Sequence, residues 1–398
     1  MKFWAVRIGS ILAAIAGAFL IEFLARQTLD DYSRRLVVLA GIYVTLAVSL
    51  NLINGITGQF SIGHAAFYMV GAYTSGFLTN TFIQQANLPP LLWLILVCIG
   101  GAIGASIAGF LVGLPSLRLR GDYLAIVTLA FGEIVRIFVQ NSEWLGGSYG
   151  MNVPFQENYI WLVWLLAFVT IACSRNLLQS ARGLTFLAVR EDEVAAQAMG
   201  VPTTRVKVTA FIVGSAFAGA AGGMLAHYES FITPMTFAMD QSFIILTMVV
   251  LGGSGSITGA TLAAIVLFAL PEQLRNLPPV SGATLAAVFI SLIAAVALTK
   301  KTESQESLAK PERRKRYAIY WIGGILAAVL LANALSFIPI MRETTYEPGK
   351  LRMLIFAVTL IVLMMLRPQG VMAHHEFSWA WLRKVLRIQK PVEKESAT

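Results

Sequence analysis

Between two long apolar segments stands Asn54-Gly-Ile-Thr-Gly-Gln-Phe-Ser-Ile-Gly-His-Ala-Ala-Phe67, with three glycines and several polar side chains. Backbone that leaves the helix inside a bilayer must be shielded by protein or line a wet cavity. A similar device returns at Gly252-Gly-Ser-Gly-Ser-Ile-Thr-Gly-Ala260, where Ser256 to Gly259 loosely echoes Ser61 to Gly63. Paired interruptions in two parts of a membrane chain point to a transport path.

The bilayer follows from composition. Of 398 residues only 13% are charged and 57% are hydrophobic, against about 25% charged in soluble domains. Apolar runs near the ~20 residues of a membrane helix occur at Ile8 to Phe23, Leu36 to Ile53, Ile62 to Leu78, Leu91 to Leu114, Tyr123 to Val139, Tyr159 to Ser174 and Val206 to Ala226. Three more follow at Gly282 to Leu298, Tyr317 to Leu335 and Leu351 to Leu366. Phe243 to Leu251 and Ala260 to Leu270 are each too short alone and read as arms of one broken or re-entrant element. The expected fold is therefore an all-α, polytopic helical bundle of roughly ten spans plus that broken pair, in two related halves. The strict alternation of a membrane β-barrel is absent from the sequence.

A net charge of +9 would suggest nucleic acid in a soluble chain; here the basic residues cluster in a few loops and report orientation. Residues 175–207, 299–316 and the tail 372–398 are expected in the cytoplasm. Thr79 to Pro90, Val139 to Asn158 and His227 to Gln241 contain no Lys or Arg and belong on the other side. Leu24 to Arg35 conflicts with this scheme, since it holds Arg26, Arg34 and Arg35 where counting from an inside N-terminus puts it outside. Either it is an external exception or Leu36 to Leu78 holds one crossing and a re-entrant piece. Met1 to Phe23 reads as a retained first helix, without a clear cleavage site. Cys98 and Cys173 lie in apolar runs and imply neither a disulfide framework nor a thiol metal site.

The loop Arg182 to Pro202 carries an acidic cluster, Glu191, Asp192 and Glu193, suited to a helix N-terminus, and Gly200 with Pro202 as a stop. Val194, Ala195, Ala198 and Met199 share one small apolar face, which suits either a solvated connector or a surface that docks in a partner's groove. Gln59, Ser61 and His64 either line a pathway or bond neighbouring helices and stabilise the break. Glu133 and Arg136, at i and i+3, are positioned to pair on one helix face; His227 and Glu229 read as interfacial. Gly214, Gly219, Gly222 and Gly223 suit close helix packing. No Gly-x-x-x-x-Gly-Lys-Ser/Thr loop, His-Glu-x-x-His or Gly-x-Ser-x-Gly is present, so neither nucleotide nor hydrolase chemistry has a home in this chain.

Glu193-x-Ala-Ala-x-x-x-Gly200 resembles the Glu-Ala-Ala loop of ABC-importer permeases. More closely, Arg190-Glu-Asp-Glu-Val-Ala-Ala-Gln-Ala-Met-Gly-Val resembles the form in permease subunits of branched-chain amino-acid importers. Gly58-Gln-Phe-Ser-Ile-Gly-His-Ala-Ala-Phe67 with Gly71-Ala-Tyr73, Leu119 to Phe131, Leu251 to Ala260 and Leu366-Arg-Pro-Gln-Gly-Val371 are similar to further blocks of that family, in the expected order. The resemblance implies a single permease domain over residues 1–398, without its own ATPase site or cofactor. Its partners would be a second related permease, two ATP-binding subunits that hold ATP and Mg, an external solute-binding protein and the lipid bilayer, with no nucleic acid. It also implies coupling to the ATPase through Arg190, Glu191, Glu193, Ala196 and Gly200. Gln59, Ser61, Gly63, His64, Gly253, Gly255 and Ser256 are the candidates for the substrate pathway. Two departures stand out: Gly146-Gly-Ser-Tyr-Gly150 replaces a common Gly-Gly-Ser-Asp-Gly, and residues 281–347 exceed compact relatives. The first leaves urea, short amides or other neutral amino acids open as substrates. A secondary transporter, the rival class, would need a buried acidic site for a coupling ion, for which the sequence offers no convincing residue.

Overall fold

A computed structural model describes residues 2–83, 88–116, 122–154 and 159–275, with isolated positions from 280 to 376. Its elements are α1 (Lys2–Thr28), α2 (Asp31–Asn51), α3 (His64–Phe82), α4 (Pro90–Ser116), α5 (Asp122–Asn141), α6 (Ile160–Gln179), α7 (Ala181–Glu191), α8 (Glu193–Ala198), α9 (Thr203–Glu229), α10 (Met239–Gly252) and α11 (Ile257–Arg275). A two-residue strand β1 (Met151–Asn152) pairs antiparallel with β2 (Phe231–Ile232). Six stretches among the described residues are long and apolar enough to cross a membrane: Asp31–Ile56, Pro90–Leu114, Tyr123–Asn141, Ile160–Gln179, Thr203–Glu229 and Pro234–Gly252. The chain is thus an all-α, multi-pass membrane bundle. The three expected spans beyond Gly282, the linker 299–316 and most of the tail lie outside the described residues.

Periodicity shows how the bundle sits in lipid. On α4, Leu92, Leu96, Ile99, Ile103, Ile107, Phe110 and Leu114 are exposed at helical spacing, a stripe for acyl chains. The opposite face is small, so α3 and α9 approach closely. A Cβ on Gly71 would strike the backbone of Gly219, one on Gly101 would lie 2.7 Å from Gly71 O, and one on Gly222 would lie 2.7 Å from Ala72 N. Apolar residues gain nothing by leaving lipid, so this close backbone approach supplies the packing that holds the three helices.

The two interruptions do not fall as expected. Ile62 to Leu78 becomes α3, beginning at His64. The first arm is longer than expected, since Pro234–Gly252 is itself long enough to cross, whereas the second, within α11, is the shorter apolar stretch Ile257–Glu272. Polar Asp240, Gln241 and Ser242 in the first turn of α10 hide its start from an apolar window.

At the end away from the basic loop, Arg35 makes a two-pronged bond to Glu229, at 3.0 and 3.1 Å. Arg26 pairs with Glu22 at 2.6 Å and Arg34 with Asp31 at 3.0 Å. A hydrogen bond from the Ser33 side chain is the main influence holding the Asp30 carboxyl below its usual range. Leu24 to Arg35 is therefore at the Glu229 end of α9, with each arginine matched to a carboxylate. His227 is not interfacial: it is buried, its Nε2 bonds Thr79 at 2.8 Å and its Nδ1 bonds Gly223 O at 2.7 Å. That pairing satisfies a polar group that the packed helix would otherwise leave bare. Glu133 and Arg136 pair at 2.6 Å, as their spacing predicts.

By contacts the chain divides into two compact units, residues 1–265 with 371–398, and residues 266–370. The second contains β3 (Val280–Ser281) paired antiparallel with β4 (Thr345–Tyr346).

Candidate functional site

After α2 the chain widens into one π-helical turn, Leu52–Ile56, and leaves the helix. Its last carbonyls find partners in Thr57 Oγ1, which donates to Leu52 O at 2.8 Å, and the Gln59 N–H, which donates to Ile53 O at 3.1 Å. Asn54 then holds the returning strand from both sides: Oδ1 accepts the Ser61 N–H at 3.1 Å and Nδ2 donates to Ser61 O at 3.0 Å. The Ile62 N–H donates to Thr128 Oγ1 at 3.0 Å, and Gly63 abuts the Thr128 carbonyl so closely that a Cβ has no room. His64 Nε2 meets Ser49 Oγ at 2.9 Å, and the Ala65 N–H donates to Ser242 Oγ at 3.1 Å. Side chains of α2, α5 and α10 thus replace the helical bonds that the break gives up, as burial of backbone requires.

Gln59, Ser61 and His64 are all buried, and Gln59 Nε2 reaches Lys207 O at 3.4 Å. Gln59 Oε1, Ser61 Oγ and His64 Nδ1 have no hydrogen-bond partner among the described residues, an arrangement that needs a physical explanation. Beside the break lies a cavity bounded by Gly63, Ala65, Gly132, Glu133, Phe237 and Ser242, with about 10 Å³ for water-sized molecules. That is the space of about one water.

At the second interruption, Gly253 and Gly255 take φ of 110° and 96°, conformations in which a side chain is strained. Ser256 Oγ accepts the Gly259 N–H at 3.0 Å. The first turn of α11 is met by a residue of the tail: the Glu376 carboxylate accepts the N–H groups of Ile257 and Thr258 at 2.6 and 3.3 Å. A carboxylate at a helix N-terminus satisfies both the bare donors and the helix dipole.

Residues 180–202 form two helices where one was expected. Ser180 Oγ caps α7 by accepting the Gly183 N–H at 3.1 Å; Asp192 Oδ1 caps α8 by accepting from Val194 and Ala195 at 2.8 and 3.0 Å. The acidic cluster straddles the joint, with Glu191 ending α7 and Glu193 opening α8. Gly200 closes α8 at φ +84° with open space around it. Ala196 is buried, while Val194 and Met199 are 59% and 84% exposed. Glu193 is held by Lys207 at 2.6 Å, an anchor that spacing alone did not show.

Arg190 joins the regions. Its Nη1 donates to Gly55 O at 3.1 Å. Its stem fills the space beside Gly58, where a Cβ would lie 3.1 Å from Arg190 Cγ; a Cβ on Gly255 would lie 2.6 Å from Nη1. Asn51 Oδ1 accepts the Gly255 N–H at 2.9 Å. Arg190 and Gly255, proposed from sequence for different roles, are therefore neighbours, whereas Gly63 faces α5 and His64 is bonded to α2. Asn51, Asn54, Thr128, Ser242 and Glu376 were not singled out. The two asparagines carried a readable signal, since amides in an apolar run must find partners. Among the described residues no cluster of His, Cys, Asp or Glu is suited to a metal ion.

The family described as "Branched-chain amino acid transport system / permease component" matches residues 32–298. The chain is 35% identical over 301 residues to "High-affinity branched-chain amino acid transport system permease protein LivM" of Escherichia coli K12, covering 67% of each chain. To LivM of Salmonella typhimurium it is 36% identical over 270 residues, 59% of this chain and 62% of that one. To "High-affinity branched-chain amino acid transport system permease protein LivH" of Escherichia coli K12 it is 26% identical over 254 residues, 58% of this chain and 81% of that one. No solved structure matches.

Proposed function

The chain belongs to the branched-chain amino acid transport system permease family, and from that membership we propose that it is the membrane-spanning permease subunit of an ABC importer in a bacterial inner membrane. It moves branched-chain or other neutral amino acids. The match over residues 32–298 carries this reading. In it, a second related permease lies beside this chain, as the similarity to both LivM and LivH supports. Two ATP-binding subunits hold ATP and Mg, an external protein delivers the amino acid, and this chain contributes no cofactor and no ATPase chemistry. Crossing about ten times in two related halves belongs to the same proposal.

The α7–α8 loop is the part on which the ATPase acts. Exposed Val194 and Met199 beside buried Ala196 present apolar surface on a short capped helix, suited to a groove in a partner. The pathway passes the first interruption, where Gln59, Ser61 and His64 hold buried polar atoms lacking partners among the described residues and Gly63 borders a small cavity. Gly253, Gly255 and Ser256 form the turn that moves with it. Co-expression with the neighbouring permease and ATPase genes, followed by purification, should give one complex whose ATPase rises when amino-acid-loaded binding protein is added. A chain that purifies alone, leaving the ATPase unresponsive, would contradict the reading.

A further inference from the structure

We infer that Arg190 is the positioning residue through which movement of the α7–α8 loop reaches both interruptions of the bundle, holding Gly55 to Gly58 against the turn Gly253 to Ser256. The inference rests on the reading of α7–α8 as the loop on which the ATPase acts.

Arg190 stands one residue before the end of α7, and Asp192 caps α8 immediately after it. Any rotation of α8 about that joint pulls first on this side chain. At its other end the guanidinium donates to Gly55 O, in the π turn that ends the α2 span. Carbonyls at a helix end lack intrahelical donors and carry the negative end of the dipole, so a cation there is doubly favoured. The contact is largely withdrawn from solvent, with 22% of the Arg190 side chain exposed.

Three glycines make the junction possible. The backbones of Gly55 and Gly255 meet so closely that a Cβ on Gly55 would overlap Gly255 N and Asn51 Oδ1. Gly58 and Gly255, both at positive φ, leave the room taken by the stem and the head of Arg190. With Asn51 receiving the Gly255 N–H at 2.9 Å, residues 51–58, 190 and 255 share one set of bonds. A planar guanidinium with several fixed donors fits such a junction; a lysine ammonium reaches a carbonyl as a point charge without filling the space.

The small cavity beside Gly63 gives the junction its consequence. The chain from Gly55 to Gly63 is short and is fastened at Asn54–Ser61. Displacing Gly55 and Gly58 therefore shifts the wall of that cavity. While Arg190 is seated the break is closed; when the loop draws it out, the two interruptions part.

The test uses the complete importer in vesicles, with substrate moved per ATP hydrolysed as the readout. Arg190→Ala should lower that ratio by about tenfold, within the range of coupling between separate sites, and Arg190→Lys should fall between it and wild type. Spin labels at exposed Phe60 and Ser254 add a measurement that a purely structural staple would not move. Their separation should change on ATP binding in the wild type and stay fixed in Arg190→Ala. An unchanged transport ratio in both variants, or the same ATP-dependent separation with and without Arg190, overturns the inference. If Arg190→Ala does not assemble, the Lys variant and its label separation decide by the same criteria. Met199→Glu separates the underlying reading: ATPase binding unaffected by it defeats the docking loop, whereas lost binding with fully coupled Arg190 variants defeats only the present inference.

Discussion

Asn54→Ala should loosen the first interruption more than any other single truncation there. The side chain is buried and makes both hydrogen bonds to the Ser61 backbone. Removing it strands a buried N–H and a buried C=O in a segment with no helical bonds to fall back on. Each group left unsatisfied costs about 1–3 kcal/mol, which gives roughly 2–6 kcal/mol for the pair. Hydrogen bonds between membrane helices average only about 0.6 kcal/mol, because the unfolded chain in lipid also finds partners. The lower figure, about 2 kcal/mol, is therefore the expected loss, or roughly 4–8 °C at the ~2–4 °C per kcal/mol of larger domains. The protein carries its own probe: Cys98 is 5% exposed, and Cys173 is the exposed cysteine. With Cys173→Ser in the background, a thiol-reactive dye in detergent reports the temperature at which Cys98 becomes accessible. Asn54→Asp keeps the acceptor for the Ser61 N–H and should lose less than Ala. A midpoint for Asn54→Ala within about 1 °C of wild type would refute the reasoning, since it would mean that the Ser61 backbone is satisfied some other way.

Other consequences can be checked separately. Gly200→Leu puts a branched side chain at φ +84° with no neighbour to strike, so backbone strain of about 1–2 kcal/mol should weaken ATPase binding while membrane abundance stays constant. Gly63→Val drives a side chain into the Thr128 carbonyl, with Thr128 C only 2.7 Å from the Cβ position; uptake should fall severalfold with near-normal insertion, and a wild-type uptake rate would make the break a packing feature only. Glu376→Ala removes the acceptor for two N–H groups of α11 and should speed amide exchange at Ile257 and Thr258, an effect of about 0.5–2 kcal/mol for a lost cap. Single cysteines replacing exposed Met199 and Tyr149 should label from opposite faces of the membrane, and labelling from one face would break the assignment of the ends.

Much of the bundle was legible because lipid imposes length and hydropathy on every crossing. Leu91 to Leu114 and Val206 to Ala226 fall inside α4 and α9 with few residues to spare. α10 was misread because Asp240, Gln241 and Ser242 occupy its first turn, where polar groups serve neighbours: Gln241 accepts from Tyr43 at 2.8 Å and Ser242 from Ala65 at 3.1 Å. At the site, glycine spacing gave the two interruptions and the acidic cluster gave the cap of α8. What joins them was not legible. Arg190 meets Gly55 across 135 residues of sequence and Asn51 meets Gly255 across 204, and no local pattern encodes contacts of that separation. His64 illustrates the same limit, since its burial against Ser49 depends on how α2 and α3 turn towards each other.

The most direct test of the central claim is leucine uptake into vesicles containing this chain with its partner permease and ATPase subunits, with loaded binding protein outside. Uptake should require ATP inside, persist when ionophores collapse the proton and sodium gradients, and vanish when the ATPase subunits are omitted. Leucine uptake by this chain alone, driven by an ion gradient and indifferent to ATP, would contradict the account.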